Sequence, residues 1–339
     1  MAATTLVPSR ARWLRILVVA LVVMCIAEAG LRARASVLPK PQLWNSPELD
    51  FKENQINALA SRGGASIISV GSSVIDVAFD AHKLNLDPGT RPGYNAGTAG
   101  ASIGTIDRWS ELLAVPRLHP DTVVIGIVSR ELNPNDSKQL SDERNFIASR
   151  AARHLDGTEN VLAKAEQRLE NWSALFRYRT AIRQPKYAEN VVGIGHTSVK
   201  YKLVNDVGQH IFLLHTSFTN TPAVRGLISR QALFHWTVGV RQRATLARLV
   251  AYLHRTVRHV LVVSMPTTDV YVNLSPHGEG DIAEFNRVAQ ETAEAHGAAF
   301  LNLGTWSTDL FADPGHVNAA GSARFMDALQ AELHRLGWS

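Results

Sequence analysis

Four residues of the chain have the types and the spacing that nucleophilic acyl transfer requires. Ser72 and Ser73 follow a strand-like apolar run and a glycine, and Asp313 and His316 lie three residues apart near the other end of the chain. A serine hydroxyl needs an imidazole to accept its proton and a carboxylate to hold that imidazole in the right tautomer. The sequence therefore predicts a serine, histidine and aspartate triad. Either serine is open as the nucleophile, and the alternative role for both is a helix N-cap.

The elements that must position these residues alternate along the chain. From residue 65 onward, short apolar runs that end in Gly, Ser or Asn are followed by periodic stretches, which predicts a parallel sheet flanked by helices. The strand candidates are 66–70, 122–128, 259–264 and 298–301, and the helix candidates are 106–114, 242–257, 282–296 and 318–336. Parallel sheets present functional groups at the carboxyl ends of their strands, and both candidate motifs follow such strand ends.

A glycine-containing loop, residues 94–100, is a second candidate for chemistry. A glycine can bring its backbone N–H close to a bound carbonyl, so Gly97 is the candidate donor to an oxyanion. The alternative is a loop that leads to a helix start at Ser102. The loop does not predict a nucleotide site, because no Gly-Lys-Ser/Thr ending follows and the glycine spacing fits no dinucleotide-binding motif.

Metal and cofactor sites are not expected. The only cysteine, Cys25, lies in an N-terminal apolar segment, which excludes an intrachain disulfide and a cysteine-based metal or redox site. The run 277–281 combines histidine, glycine and two acidic residues, but runs of this kind are more often solvated turns than metal loops. We therefore expect neither a metal ion nor an organic cofactor.

An apolar segment from Trp13 to Leu31, densest from Ile16 to Ala27 and with three arginines before that dense part, predicts a membrane-targeting helix. At 1.5 Å per residue it would span about 28 Å, close to the ~30 Å hydrocarbon thickness of a bilayer. The alternative to a retained anchor is a cleaved signal peptide, since 27–29 and 33–35 both read Ala-x-Ala. In both cases the arginines stay in the cytoplasm and the body of the chain is expected outside it.

The distribution of charge argues against nucleic acid as a partner. The formal net charge is +5, and the first forty residues hold six basic residues and one acidic residue, so the rest of the chain is balanced. A protein that reads nucleic acid carries its basic excess on the folded domain, where it displaces phosphate counterions. That class of protein is therefore not expected.

The sequence predicts five kinds of segment along the chain. Residues 1–12 form a cytoplasmic tail, 13–31 a signal-anchor helix, 32–62 a spacer, 63–137 with 235–339 an α/β domain, and 138–234 a largely helical insertion. The insertion breaks the alternation of strands and helices, and we interpret it as a segment that lies over the site, as a lid or a docking surface.

Several blocks of the chain, in their order, resemble the SGNH/GDSL hydrolase superfamily. These blocks are Gly71-Ser72-Ser73, Tyr94-Asn95-Ala96-Gly97, the strand end at 129–133 and Asp313-x-x-His316, and the match covers residues 63–137 and 235–339. The chain particularly resembles membrane-anchored branches that modify cell-envelope polymers. Those branches include the D-alanyl transfer proteins of teichoic acids and the O-acetylation proteins of exopolysaccharides.

The resemblance implies a flavodoxin-like three-layer α/β/α sandwich that carries a serine esterase or acyltransferase. In it Ser73 is the nucleophile, His316 is the base and Asp313 orients the base. The backbone N–H groups of Ser73 and Gly97 would form the oxyanion hole. The implied substrate is an envelope glycan or acylated polymer, and the implied partner is a membrane-bound acyltransferase.

Two departures from the family pattern bear on these roles. The first block of the family usually has Asp between Gly and Ser, where this chain has Ser72, and position favours Ser73 as the nucleophile. The block Gly-x-Asn-Asp is missing after the strand 122–128, which leaves Asn133 as the third oxyanion donor. The alternative function is a catalytically inactive relative that binds glycan or partners an acyltransferase.

Overall fold

The computed structural model describes residues 10–35, 38, 43–87, 89–159, 161–183, 191–194, 198–201 and 203–338. The chain divides into two compact units. The first unit consists of Met1–Gln42 and Glu159–Lys200, and the second consists of Leu43–Thr158 and Tyr201–Ser339. Every residue of the predicted triad and oxyanion hole belongs to the second unit.

The described elements are numbered here in chain order. The strands are β1 Ile67–Gly71, β2 Gly93–Asn95, β3 Thr122–Ile127, β4 Val191–Ile194, β5 Ser198–Tyr201, β6 His259–Ser264, β7 Ala299–Asn302, β8 Phe311–Asp313 and β9 His316–Val317. The helices are α1 Arg10–Ala33, α2 Pro47–Ala60, α3 Ser73–Ala78, α4 Ile103–Trp109, α5 Val115–Leu118, α6 Ser137–Ala148, α7 Arg150–Leu155, α8 Val161–Trp172, α9 Ala174–Arg177, α10 Arg179–Arg183, α11 Pro222–Leu227, α12 Val240–Thr256, α13 Asp269–Leu274, α14 Glu279–Ala295 and α15 Ala319–Arg335.

The second unit is built around a five-stranded parallel sheet with the strand order β2-β1-β3-β6-β7. The chain moves outward from β1 to β2 and then returns to the other side of β1 with β3. Such a reversal of direction opens a crevice at the carboxyl ends of the two strands it separates. The predicted nucleophile follows β1 directly, so it lies at this crevice.

Apolar side chains explain why these segments form buried strands. The side chains Ile68, Val70, Val123, Val124 and Ile125 have no exposed surface. Strands that are apolar on both faces are typical of a parallel sheet covered by helices. The predicted α/β fold is confirmed, and the four predicted strands agree with β1, β3, β6 and β7 to within a residue at each end.

Helix α2 belongs to the sheet-containing unit rather than to a spacer. Ser46 caps the helix by accepting the N–H of Glu48, and Leu49 and Ile56 are buried in the core. Of the spacer predicted at 32–62, residues 43–62 therefore lie in the second unit, which begins at Leu43. The prolines of the segment favoured the prediction of a spacer. The apolar residues at helical spacing that pack α2 into the core were therefore not recognised.

The predicted insertion at 138–234 is likewise divided between the units. Residues 159–200 belong to the first unit, whereas the flanking parts belong to the second. In the second unit, Phe146 of α6 is fully buried and stacks on Trp44, with ring centroids 5.2 Å apart. Residues 138–158 and 201–234 are thus part of the α/β unit.

The first unit contains one described helix, Ala11–Ala33 within α1, that is long and apolar enough to cross a membrane by length and composition. Its apolar side chains are exposed, as expected of a helix whose partner would be lipid. The same unit contains α8, α9 and α10 and the two-stranded sheet formed by β4 and β5.

Candidate active site

The turn that presents the two serines depends on a glycine. Gly71 has a φ of +154°, and a Cβ at this position would lie 2.3 Å from the carbonyl oxygen of Gly126 on β3. Only a residue without a side chain allows β1 and β3 to approach so closely. After Gly71, Ser72 is extended and Ser73 is the first residue of α3.

The side chains of Ser73 and His316 are in contact, although the two residues are far apart in sequence. Ser73 Oγ lies 2.8 Å from His316 Nε2, although the two residues are 243 positions apart in sequence. His316 Nδ1 lies 2.9 Å from both carboxylate oxygens of Asp313. With the Nδ1 proton donated to Asp313, Nε2 is free to accept the proton of the serine hydroxyl. The structure therefore brings the three predicted residues together, with the imidazole of His316 between the hydroxyl of Ser73 and the carboxylate of Asp313.

The Asp313 carboxylate is held by its own turn. β8 and β9 form an antiparallel hairpin, and Asp313 Oδ1 accepts the N–H groups of Gly315 and His316 at 2.9 and 3.0 Å. Burial on its own raises the pKa of Asp313, but the facing imidazole and these hydrogen bonds outweigh it, so the pKa is lowered. Asp313 is therefore ionised at neutral pH, as a group that orients an imidazole must be.

The other serine has a different partner. The Ser72 hydroxyl is buried and donates to the carboxylate of Glu131. Burial raises the pKa of Glu131, opposed by Arg130 and by the hydrogen bonds that it accepts. Of the two serines, Ser73 is the one whose hydroxyl faces the imidazole.

Ser73 also offers a backbone donor for an oxyanion. As the first residue of α3, its N–H has no carbonyl within the helix to bond to, and it points from the positive end of the helix dipole. The structure thus leaves this predicted donor available beside the hydroxyl that would attack.

Gly97 and Asn133 are not placed as predicted. The Gly97 N–H is donated to Asn95 Oδ1 at 2.9 Å, and a Cβ there would lie 2.9 Å from Asp76 Cα. The Asn133 amide donates to the carbonyls of Ala232 and Phe234 at 2.9 and 3.2 Å. Both donors are therefore already used, the first in a turn that packs against α3 and the second in holding the segment after α11.

A cavity of about 210 Å³ opens beside Ser73 and His316. Its apolar lining consists of Val74, Val128, Val224, Leu227, Ile228, Ala232 and Tyr271. Two basic side chains reach it, but Arg130 pairs with Asp136 at 2.8 Å and Lys138 pairs with Asp142 at 2.5 Å. Because these charges are compensated, the space next to the triad is suited to an apolar group.

Sequence reasoning missed the residues that shape this cavity. Residues 222–232 were predicted to lie over the site, but no pattern identified which of their side chains face Ser73. Gly100 was also missed as a lining residue, although its φ of +73° marks a turn that favours glycine. The available signal was the apolar spacing of Val224, Leu227 and Ile228, which indicates one helical face.

No group of three His, Cys, Asp or Glu side chains that could hold a metal ion is found in the part of the chain that the structure describes. In the run 277–281, His277 Nδ1 lies 2.9 Å from Asp281 Oδ1 at the beginning of α14. This contact is an i to i+4 pair at a helix start and needs no metal.

Comparison with known proteins gives structural likenesses only. No family model and no curated protein sequence matches the chain. An acetylxylan esterase of Geobacillus stearothermophilus is similar at a TM-score of 0.40 and 14% identity, covering 81% of this chain and 96% of the esterase. A Bacteroides fragilis protein described as an acylhydrolase is similar at a TM-score of 0.41 and 10% identity. That match covers 87% of this chain and 99% of the other protein. A family two carbohydrate esterase of Clostridium thermocellum is similar at a TM-score of 0.34 and 10% identity, and that match covers 81% of this chain and 65% of that enzyme.

Proposed function

We propose that the protein is a serine esterase or acyltransferase that works through an acyl-Ser73 intermediate. The observation that carries the proposal is the pair of contacts made by one imidazole, 2.8 Å from Ser73 Oγ and 2.9 Å from the Asp313 carboxylate. These distances are within the range that proton transfer from a nucleophile to a base requires. An apolar cavity next to the hydroxyl gives an acyl group a place to bind.

In the first half of the reaction, Ser73 Oγ attacks the ester carbonyl and His316 Nε2 accepts the hydroxyl proton. The carbonyl oxygen becomes an oxyanion, which the N–H of Ser73 stabilises at the start of α3. When the tetrahedral intermediate collapses, the bond to the alcohol breaks and His316 returns the proton to the leaving oxygen. The acyl group is then bonded to Ser73.

In the second half, His316 accepts a proton from a water molecule or from a sugar hydroxyl, and the oxygen of that molecule attacks the acyl-Ser73 carbonyl. Water gives hydrolysis and a sugar gives transfer. Asp313 stays ionised throughout and stabilises the imidazolium that forms in each half. We place a second oxyanion donor at Gly100, because Gly97, Thr98, Ala99 and Ala101 donate their N–H groups elsewhere.

The proposed substrate is an ester-linked acyl group on a glycan or polymer of the cell envelope, and the proposed location is outside the cytoplasm. Support comes from the SGNH/GDSL resemblance of the triad blocks and from the apolar helix Ala11–Ala33, which has Arg10, Arg12 and Arg15 at its N-terminal end. This helix would be a retained signal anchor, and a membrane-bound acyltransferase would be the partner that supplies or receives the acyl group.

The test is covalent labelling of the full chain in detergent with a fluorophosphonate, which reacts with an activated serine. We expect one label, located on Ser73 by peptide mass analysis. Ser73→Ala should abolish it, and Ser72→Ala is the matched control that should keep it, because Ser72 bonds to Glu131 and does not face the imidazole.

An unlabelled wild-type protein that is folded by circular dichroism would contradict the proposal. It would favour the alternative, a catalytically inactive protein that binds glycan or an acyltransferase. Label on Ser72 would contradict the assignment of the nucleophile. After labelling, mass analysis of an acyl-enzyme trapped from envelope material would identify the acyl group.

A further inference from the structure

Helix α8 in the first unit has an apolar face without a protein partner among the described residues. We propose that α8, Val161–Trp172, is an interfacial helix that lies on the surface of a phospholipid bilayer, the same bilayer that α1 would enter. The proposal concerns how the protein meets the membrane and is independent of the reaction at Ser73.

The apolar face follows from the spacing of the sequence. Val161, Ala165, Leu169 and Trp172 are separated by four, four and three residues, which places them on one face of a helix with 3.6 residues per turn. Leu162 borders the same face. The exposed fractions of the four large side chains are 83% for Val161, 78% for Leu162, 48% for Leu169 and 76% for Trp172. A contiguous apolar face this exposed indicates an interaction surface.

The acidic side of α8 is already engaged with the protein. Glu166 and Glu170 lie on the side away from the apolar face, and Arg179 of α10 pairs with both of their carboxylates. Glu170 is buried. The helix is therefore oriented by these ion pairs, with its charged side toward its own unit and its apolar side outward.

The end of α8 is tied to the predicted membrane helix. Glu28 of α1 accepts hydrogen bonds from the N–H groups of Ala174 and Leu175, at 2.7 and 2.9 Å, and from the Ser173 hydroxyl at 3.0 Å. Arg32 donates to the carbonyl of Trp172. Glu28 lies near one end of the apolar stretch Ala11–Ala33, where a membrane helix leaves the hydrocarbon. The contact therefore places Trp172 at the level of the bilayer surface.

The charges next to the apolar face fit a lipid surface. Lys164 and Arg168 are exposed and border this face along one side of the helix. Amphipathic helices that lie in the membrane interface carry basic side chains of this kind, which reach the anionic headgroups, and an aromatic residue at the level of the headgroups. The composition of the face, its exposure and its link to α1 all favour lipid over a second protein surface.

The test compares how deeply a fluorophore on each of two faces of α8 lies in the membrane. The full chain with Cys25→Ser is reconstituted in vesicles of phosphatidylcholine and phosphatidylglycerol. One variant carries Leu169→Cys on the apolar face and the matched control carries Gln167→Cys on the exposed polar face. Each cysteine is labelled with the same environment-sensitive fluorophore, and quenching by doxyl-labelled lipid and by aqueous iodide is compared.

We expect lipid quenching at residue 169 to exceed that at residue 167 by about threefold or more, and iodide quenching to show the opposite order. A second probe, Leu162→Cys, should behave like residue 169. Equal quenching at 167 and 169 would overturn the proposal. Protection of residue 169 from both quenchers would also overturn it, because the face would then be covered by protein, such as a second copy of the chain.

Discussion

The ammonium group of Lys52 lies 2.6 Å from Asp76 Oδ1, and neither side chain has any exposed surface. Asp76 is three residues after Ser73 in α3, so this ion pair fixes the helix that begins with the proposed nucleophile. Lys52 also donates to the carbonyl of Gly97. One lysine of α2 therefore joins the helix of the nucleophile to the neighbouring glycine loop.

Removal of the Lys52 ammonium should destabilise the protein in a pH-dependent way. Burial raises the pKa of Asp76 well above its ordinary value, and the charge of Lys52 opposes that rise. In Lys52→Met the carboxylate would be buried without its partner, which costs about 3–5 kcal/mol in comparable cases. Since a protonated Asp76 escapes this cost, the loss of stability should be largest at high pH and smaller at low pH.

Denaturant unfolding of the full chain in detergent, at mildly acidic and mildly basic pH, checks this expectation. The double variant Lys52→Met with Asp76→Asn should recover part of the lost free energy of unfolding, because the Asp76 charge is then removed, whereas the buried Glu48 carboxylate, 3.7 Å from Lys52 Nζ, still lacks its lysine partner. A loss in Lys52→Met that is below about 1 kcal/mol at both pH values would show that the pair is not a buried ion pair.

Asp313→Asn should lower kcat without changing the fold. The asparagine keeps the size of the side chain but removes the charge that stabilises the imidazolium and selects the Nδ1-protonated tautomer of His316. We expect a fall of about 10³- to 10⁴-fold in kcat for an aryl ester, with little change in KM and in the melting temperature. Asp309→Asn, on the short helical turn just before β8, is the matched control and should retain wild-type activity. A fall below tenfold would mean that another group orients His316.

The corrected position of Asn133 gives a prediction that separates structure from catalysis. Asn133→Ala removes the amide that holds the carbonyls of Ala232 and Phe234, so each carbonyl is left without this donor. We expect a loss of about 1–3 kcal/mol in the free energy of unfolding. An oxyanion donor would instead contribute about 10²–10³ in kcat, so a loss of that size in folded Asn133→Ala protein would restore the catalytic role.

The sequence was sufficient to predict that Ser73, Asp313 and His316 lie together, because each of them carries a local signal. Ser73 follows a strand and a glycine, and Asp313 and His316 share one turn whose backbone N–H groups hold the carboxylate. The topology of a parallel sheet then brings strand ends together. The parallel sheet was predicted for the same reason, since its strands are short apolar runs between turn residues.

The sequence was insufficient where partners come from distant segments. The segment that forms α2 was predicted as part of a spacer, and nothing local indicates that Lys52 on that helix pairs with Asp76. For Gly97 the family role was a poor guide, because the Asn95 side chain, two residues earlier, accepts its N–H. Whether a side chain such as that of Asn95 accepts a backbone N–H depends on where that side chain lies. The residue types alone do not predict it.

Asp50 should make the stability of the protein depend on pH between about 4 and 8. Burial raises the pKa of Asp50 to about 8, although its carboxylate accepts the N–H groups of Leu43 and Trp44. The folded state therefore binds a proton that the unfolded state releases near its ordinary pKa, so stability is greatest at low pH and falls as pH rises through this range.

Asp50→Asn keeps an acceptor oxygen for both N–H groups and removes the titration. The slope of the unfolding free energy against pH should be less negative in this variant, by at most about 1.4 kcal/mol per pH unit. The exposed Asp327 provides the matched control, and Asp327→Asn should keep the wild-type slope. Parallel curves for wild type and Asp50→Asn would show that Asp50 is ionised in the folded protein.

The size of the cavity predicts the acyl groups that the proposed esterase or acyltransferase would prefer. A cavity of about 150 Å³ in another protein holds benzene, so the cavity of about 210 Å³ beside Ser73 should hold an acyl chain of roughly six to eight carbons. For p-nitrophenyl esters, kcat/KM should therefore rise from acetate to hexanoate by about tenfold or more, since each buried methylene contributes to binding.

Ala232→Leu tests whether this cavity is the acyl site. Ala232 is buried and lines the cavity, so a larger side chain should fill the space and lower kcat/KM for hexanoate by about tenfold while acetate changes little. Val240→Leu adds the same kind of bulk at a side chain that is 88% exposed, and it should leave the chain-length profile unchanged. If Ala232→Leu lowers kcat/KM equally for all the esters, the acyl group binds elsewhere. A side chain that fills the acyl site must lower kcat/KM more for long acyl chains than for short ones.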